Sequence, residues 1–315
     1  MWGEVLRQVI QSLLVSCLYS LTAIGLTLSY SVTRIPNFAH AEYVTIGAYV
    51  VALSTIFMGL DPLVSLVLGM VVTGLVALLV DELVFKPLYR RGATSLQLLV
   101  ASIGVGLFLR YLLSIYADLA DVLNIKARFV LTPLFYVGYG VFTNVHLIAV
   151  LSTMTLLALL YLLLFKTRIG KAMRALSSNL ELAQASGIPI WDVRRLAWFI
   201  AGMLAGVGGG IWALYTNINP EVGWRLLLWI FAASIIGGLT SIPQTILGGF
   251  VIGFAENLGM WTFNRFLGVD TAYKPVIAYA AIAIVLLIRE SGGLKGIKDT
   301  VWSLMFKLKG EHSWS

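Results

Sequence analysis

Three ionisable residues lie near or within long apolar stretches of the sequence: His40, Glu42 and Glu256. A side chain of this kind, held in apolar surroundings, could take up and release a proton. A structural role is the alternative. Each carboxylate could lie at a helix end or pair with an arginine such as Arg34 or Arg265, and His40 could be a hydrogen-bonded structural histidine. Both interpretations remain open at the level of the sequence.

Other patterns that could do chemistry are absent from the sequence. It contains no G-x-x-x-x-G-K-[ST] stretch, so the chain has no P-loop for ATP. It also lacks a paired histidine, an H-E-x-x-H motif and a cysteine cluster, which leaves a metal ion without ligands. The single cysteine, Cys17, lies in an apolar run and is predicted to be a small buried hydrophobe. We therefore predict neither catalytic residues nor a metal or cofactor, and we do not expect an enzyme.

A short helix is predicted in the most basic internal segment. Ser178 and Glu181 have the spacing of a capping box, Gly187 suits a helix C-cap, and Pro189 prevents continuation. The result is a helix of two or three turns, about 10–15 Å long. Such a rigid projection could receive a push from a soluble partner, whereas the alternative is an ordinary ordered loop.

The composition indicates the class of protein, and hence the type of structural element, that must position these residues. Of 315 residues, 59% are hydrophobic and only 12% are charged, against about 25% charged in a soluble domain. The mean hydropathy is +0.90. These values exclude a soluble protein and predict an all-α, polytopic membrane helix bundle comprising one domain, residues 1–315.

The distances between charged residues predict about eight or nine membrane segments, including broken or half helices. The predicted segments cover residues 8–33, 43–60, 62–80, 92–116, 145–165, 196–215, two short helices within 226–255, and 271–288. Residues 129–144 are expected to form a loop or a partial helix.

The lysines and arginines predict the orientation of these segments, because basic loops face the cytoplasm. Residues 166–195 contain six basic and two acidic residues, and residues 81–91 and the tail 289–315 are also basic. The tail is predicted to lie on the membrane surface as an amphipathic helix. Since the basic residues lie between apolar runs, we interpret the net charge of +7 as orienting the chain in a lipid bilayer rather than as binding nucleic acid.

Two helix breaks predict where a polar pathway could lie. Pro36 precedes the first, and the second spans residues 237–243. Exposed backbone polar groups are tolerated at membrane depth only where they are buried in protein or line a cavity. We therefore expect the pathway to include the following residues: Asn37, Phe38, His40, Gly237 and Gly238. Glycines spaced four apart, at 202, 206, 210, 249 and 253, predict close helix packing.

Several stretches together resemble the permease subunits of hydrophobic (branched-chain) amino-acid ABC transporters. Glu181, Leu182, Ala183 and Gly187 resemble the E-A-A-x-x-x-G coupling motif, and residues 167–175 resemble its lead-in. Residues 37–49 resemble the family's N-F-A-H-G segment, and residues 235–249 resemble its second glycine-rich signature. The chain departs from these patterns at Ala41, Leu182, Thr240 and residues 243–245.

The resemblance implies an inner-membrane, multi-pass subunit that forms the translocation path of an ATP-driven importer. It implies that Glu181, Leu182, Ala183 and Gly187 contact the motor. The implied partners are a second related permease subunit, two cytoplasmic ATP-binding subunits that hydrolyse ATP, and an extracytoplasmic solute-binding protein. Three alternatives remain open: an ABC permease for urea or short-chain amides, an ion-coupled secondary transporter, and a passive channel.

Overall fold

A computed structural model describes residues 2–290, with side chains to residue 287. Thirteen α-helices and one β-hairpin occur in this range. The α-helices are α1 (Trp2–Thr33), α2 (His40–Phe57), α3 (Pro62–Val80), α4 (Lys86–Arg90), α5 (Ser95–Leu119), α6 (Asn144–Lys166), α7 (Arg168–Ser178), α8 (Leu180–Ala185), α9 (Ile190–Tyr215), α10 (Val222–Ile236), α11 (Ile242–Phe254), α12 (Met260–Leu267) and α13 (Lys274–Glu290). Nearly all of the predicted interfacial tail, 289–315, lies outside the described residues.

Within residues 2–290, seven helical segments are long and apolar enough to cross a membrane, and two shorter apolar helices, Val222–Ile236 and Thr271–Leu287, accompany them. The prediction of an all-α polytopic bundle with broken or half helices is thus confirmed. The first helix begins at Trp2 rather than at residue 8, because Glu4 and Arg7 are accommodated in its first two turns.

The stretch before α6 folds differently from the prediction of a loop or partial helix. Strands β1 (Pro133–Val137) and β2 (Gly140–Thr143) form an antiparallel hairpin. Its two-residue turn contains Gly138 at φ +61°, a conformation that glycine adopts without strain. Aromatic and β-branched residues around a tight turn favour a hairpin over a helix, and Phe135 stacks on Phe142 across the two strands.

The helices form two halves of similar construction. Each contains a long helix, a break, a short helix, a helix that continues through a π-helical turn, and an outer helix. The π-turns are Asp81–Phe85 after α3 and Ala255–Gly259 after α11. The first half runs from α1 to α5 and the second from α9 to α13, with α6 to α8 between them. The first helices of the two halves run antiparallel, because Gly25 of α1 lies against Ala201 of α9 and Gly208 of α9 lies against Thr22 of α1. Two similar halves in opposite orientation form an inverted repeat.

Small residues hold the halves together, as the glycine spacing predicts. Gly202 and Gly206 of α9 pack on α3, where a Cβ at Gly206 would lie 2.7 Å from the Gly69 carbonyl oxygen. On α11, Gly249 and Gly253 pack against Ser20 and Ser16 of α1. In each pair, a glycine later in one helix meets a residue earlier in the other helix. Both helix pairs, α9 with α3 and α11 with α1, are therefore antiparallel. Any larger residue at these glycines would push the helices apart.

The two short helices α2 and α10 begin inside the bundle. His40 Nε2 lies 2.9 Å from the carbonyl oxygen of Thr22, which is about 16 Å of helix before the end of α1. Residues 34–39 therefore turn back into the bundle after α1. The first turn of α10 lies at a similar depth, because the Gly223 amide donates a 2.9 Å hydrogen bond to Thr45 Oγ1 of α2. The N-termini of both short helices meet near the middle of the bundle.

Candidate functional site

A buried ion pair lies where the two short helices meet. Arg110 of α5 donates to Glu42 Oε1 from Nη2 at 2.7 Å and from Nε at 3.1 Å. Thr45 Oγ1 donates to the other carboxylate oxygen at 3.3 Å. The Glu42 side chain is 2% exposed. This geometry corresponds to the structural role considered from the sequence, in which Glu42 pairs with an arginine. The arginine is Arg110, however, and not Arg34.

Arg110 was not singled out from the sequence. The signal that could have identified it is its position, as an arginine that interrupts the apolar segment 92–116. A charge at such depth is a marker of function. Arg34, the expected partner, instead donates to the carbonyl oxygen of Ser177 at 2.6 Å.

An apolar stripe continues from the ion pair along α10. Trp224, Leu228, Phe231 and Ile235 recur every three or four residues and are exposed or half-buried. The Trp224 ring lies 4.3 Å from Arg110 Cζ, and the Phe231 ring lies 4.7 Å from that of Phe38. We call these four residues of α10 the α10 stripe. Phe38 therefore borders a partly open apolar surface. The charged group of Arg110 lies at the end of this surface that is formed by Trp224.

Asn37 and His40 are fully buried in this conformation, each at 0% exposure. Within the described residues, neither amide atom of Asn37 has a hydrogen-bond partner, and the same holds for His40 Nδ1. Buried polar groups without partners are costly. The expectation that these two residues line a pathway therefore requires a second conformation, and it stays a prediction.

Gly237 and Gly238 form the break between α10 and α11. Gly237 ends α10 and packs so closely on the backbone of Thr245 that a Cβ would collide with it. Gly238 has φ +93°, which only glycine adopts readily. The chain can turn from α10 into α11 here because of these glycines. Three hydroxyls hold the turn against α1: Thr27 Oγ1 lies 2.6 Å from Ser234 Oγ and 3.0 Å from Thr245 Oγ1.

The predicted coupling segment, residues 181–187, lies in and just after the six-residue helix α8. The predicted capping box is wrong, because Ser178 ends α7 and Asn179 is the N-cap, accepting a hydrogen bond from the Leu182 amide at 2.9 Å. Asparagine is as good a cap as serine, and its use shortens the helix by a residue. The predicted C-cap is present: Gly187 has φ +76°, and the Ile188 amide bonds back to the Ala183 carbonyl.

The side chains of α8 separate into a packed and an open face. Ala183 is 4% exposed and anchors the helix, whereas Leu182 is 65% exposed and Glu181 is also exposed. Space around Gly187 is open, since a Cβ there would meet nothing within 4 Å. The open face thus presents one large apolar side chain beside one charge, a combination suited to a protein contact.

A second buried ion pair ties the helix after α8 to α3. Arg194 Nε lies 2.9 and 3.0 Å from the two carboxylate oxygens of Asp81, and both side chains are at most 4% exposed. Beside them, Glu82 accepts from Arg195 and Lys86. Because α9 begins five residues after the end of α8, this pair fixes the chain that follows α8 against the first half of the bundle.

Glu256 is also paired, although not with Arg265. Tyr19 donates a 2.6 Å hydrogen bond to Glu256 Oε2, and Lys274 Nζ lies 3.5 Å from Oε1. The carboxylate thus joins α1, the second π-turn and α13. Among the described residues, no three histidine, cysteine, aspartate or glutamate side chains form a group that could hold a metal ion.

Comparison with known proteins is consistent with this architecture. The family model described as "Branched-chain amino acid transport system / permease component" matches residues 8–286. The probable branched-chain amino acid transport permease protein LivH of Methanocaldococcus jannaschii is 34% identical over 89% of this chain and 90% of its own length. The high-affinity branched-chain amino acid transport system permease proteins BraD of Pseudomonas aeruginosa and LivH of Escherichia coli are each 30% identical, over 91% of this chain and 94% of theirs.

Proposed function

Because this chain belongs to the family of branched-chain amino acid transport permeases, we propose that it forms part of the path by which an ATP-driven importer moves amino acids with apolar side chains. It is a multi-pass protein of the inner membrane and the permease component of an ABC transporter. The substrate, the path and the composition of the complex are the proposed elements.

The observation that carries the substrate proposal is the junction of a buried ion pair with the α10 stripe. A zwitterionic amino acid needs a polar environment for its two charges and an apolar surface for its side chain. The N-termini of α2 and α10 carry partial positive charge and meet beside Arg110 and Glu42. The α10 stripe provides the apolar surface next to them. Urea has no apolar group that would use such a stripe, and a short-chain amide has only a short alkyl group and no pair of charges for the polar end.

The path is proposed to pass Asn37, Phe38 and His40 of the re-entrant segment, and then Gly237 and Gly238 at the break. Phe38 and the α10 stripe are accessible in the present conformation. The unpartnered amide of Asn37 and the free Nδ1 of His40 would gain partners when the segment moves and opens toward solute or water.

The partners are proposed from what this chain leaves incomplete. The α10 stripe is open on one side, which a second related permease subunit would close. The exposed face of α8, with Glu181, Leu182 and Gly187, would enter a cytoplasmic ATP-binding subunit, and Ala183 would hold the helix in place. Two such subunits would hydrolyse ATP, since this chain has no P-loop, and an extracytoplasmic binding protein would deliver the solute.

Thiol labelling of the reconstituted complex tests the path. In a Cys17→Ala background, Phe231→Cys and Phe38→Cys are expected to react with a small water-soluble thiol reagent at least about tenfold faster than Leu159→Cys. The thiolate, which is the reactive form, requires contact with water. Leu159 is 56% exposed on the apolar helix α6, which contributes no residue to the proposed path. Leucine supplied with binding protein and ATP should slow the labelling, whereas urea should not.

The labelling rates test the proposed path, and the protection by solute tests the proposed substrate class. Labelling of Phe231→Cys no faster than Leu159→Cys would exclude the α10 stripe, and equal protection by urea and leucine would exclude the proposed substrate class. Asn37→Cys and His40→Cys are expected to react only while the complex turns over. Protection in every nucleotide state would remove both residues from the path.

Glu256→Gln is expected to retain ATP-driven uptake and to lower the thermal stability of the complex. The substitution keeps a partner for Tyr19 but loses the attraction to Lys274. Uptake should remain insensitive to a protonophore. Loss of accumulation in this variant, with exchange of solute preserved, would instead show that Glu256 carries a coupling proton.

A further inference from the structure

We infer that a groove at the cytoplasmic end of the bundle binds one anionic phospholipid. The groove has a volume of about 330 Å³ and lies between α1, α6, α7 and the α10–α11 break. Its walls are mainly apolar, with Leu28, Leu164 and Ile242 contributed by three different helices. Arg174 and Ser177 of α7 supply polar groups at the same groove.

The depth of the groove matches the boundary of the cytoplasmic leaflet. It lies at the end of α6, whose apolar sequence stops at Lys166, and near the end of α1 at Thr33. The apolar walls therefore lie at acyl-chain depth, and α7 lies at headgroup depth. Arg174 packs against the groove wall, with its Cζ 4.7 Å from the Phe165 ring.

The charge around the groove suits a phosphate. Arg174 lines the groove itself, and the stretch 166–179 that contains it has three further basic residues and no acidic residue. One of these three, Arg168, lies on another face of α7, at a pocket beside Asp192. Arg34, whose guanidinium donates to the Ser177 carbonyl, adds a further positive charge. In the part of the chain that the structure describes, no carboxylate forms a salt bridge with Arg174. Basic pockets between membrane helices on the cytoplasmic side bind anionic lipid headgroups.

The combination of charge and apolar surface selects a lipid over a free anion. An inorganic phosphate would contact the basic residues but leave the apolar walls uncovered, whereas an acyl chain of a phospholipid would cover them. The bound lipid would touch α7, which leads into α8, and also Thr240 and Pro243 at the α10–α11 break. It would therefore connect the coupling segment to the second half of the bundle.

Native mass spectrometry of the full complex tests this site without relying on transport. The complex is equilibrated with phosphatidylglycerol or with phosphatidylcholine of the same acyl chains. We expect phosphatidylglycerol to be retained preferentially, and Arg174→Gln to lower its retention about fivefold, the effect expected of one arginine near an anionic surface. Ser241→Trp, which fills the groove without changing charge, should lower it too. Arg91→Gln removes an exposed charge on the same side and should have no effect.

Each other outcome would overturn the inference. An equal loss in Arg174→Gln and Arg91→Gln would indicate surface charge alone, and unchanged retention in both groove variants would place the lipid elsewhere. Displacement of phosphatidylglycerol by millimolar inorganic phosphate would identify a free-anion site. Absence of phosphatidylglycerol from the intact complex would contradict the lipid site outright. These results bear on the lipid alone and leave the proposed transport function untouched.

Discussion

Leu182→Asp is expected to abolish ATP-driven uptake while the permease remains folded and inserted in the membrane. Leu182 is the large apolar side chain on the open face of α8 and is 65% exposed in the isolated chain. Burying a leucine side chain in a protein contact contributes about 1.5–3 kcal/mol, and aspartate would instead place an unpaired charge there, which is costly to bury. Uptake and solute-stimulated ATP hydrolysis by the reconstituted complex should both fall at least about tenfold.

Ile169→Asp is the matched control for this substitution. Ile169 is also apolar and 48% exposed on the same side of the membrane, but it lies on α7 rather than on the proposed contact face. This variant should retain most of its uptake. Normal coupling in Leu182→Asp, or equal losses in both variants, would contradict the role assigned to α8.

A backbone substitution probes the same contact independently. Gly187 and Gly92 have φ values of +76° and +78°, and a Cβ at either position would meet nothing within 4 Å. Valine should therefore strain both sites similarly. We expect only Gly187→Val to uncouple hydrolysis from uptake, because only Gly187 follows α8, the helix that we propose contacts the ATP-binding subunit.

Asp81→Asn is expected to lower the stability of the permease by about 3–5 kcal/mol. The substitution leaves the Arg194 guanidinium buried, with its side chain 4% exposed, without a compensating charge. Thermal unfolding of the purified complex in detergent, together with the yield of folded protein, measures the effect. Coupling should weaken in any folded fraction, since the pair holds the start of α9, which follows the proposed contact helix α8.

Two comparisons make this prediction specific. Glu221→Gln removes one partner of an exposed pair, with Glu221 63% exposed, and should cost less than about 1 kcal/mol. The double variant Asp81→Leu/Arg194→Met replaces the buried pair by apolar residues and should recover much of the lost stability. Asp81→Asn as stable as Glu221→Gln would show that the pair is not required.

The membrane segments could be predicted from the sequence because they depend on local composition. The distances between charges located the long helices, and Pro36 and Gly237 located the two breaks. The caps of short elements were harder to assign. Ser178 and Asn179 are both good N-caps, and the packing of α7 decides between them. The hairpin before α6 was missed because Pro133, Gly138, Gly140 and Asn144 indicate a loop, and this signal outweighed the aromatic and β-branched residues between them.

The pairing of charges could not be predicted from sequence. Glu42 pairs with Arg110 and Glu256 with Tyr19 and Lys274. The pairs Glu42–Arg110 and Glu256–Tyr19 each join elements that are far apart in sequence. Such partners depend on how the two halves pack, which residue spacing within one helix does not reveal. Sequence proximity suggested Arg34 and Arg265 instead.

Uptake of radiolabelled leucine into proteoliposomes that contain the complete complex tests most directly whether ATP drives this permease. Leucine and binding protein are supplied on the extracytoplasmic face and ATP on the face of the ATP-binding subunits. We expect accumulation only with hydrolysable ATP, loss of accumulation when the P-loop lysine of those subunits is replaced, and no effect of a protonophore. Accumulation without ATP, or its collapse on adding a protonophore at constant ATP, would contradict the assignment as an ATP-driven permease.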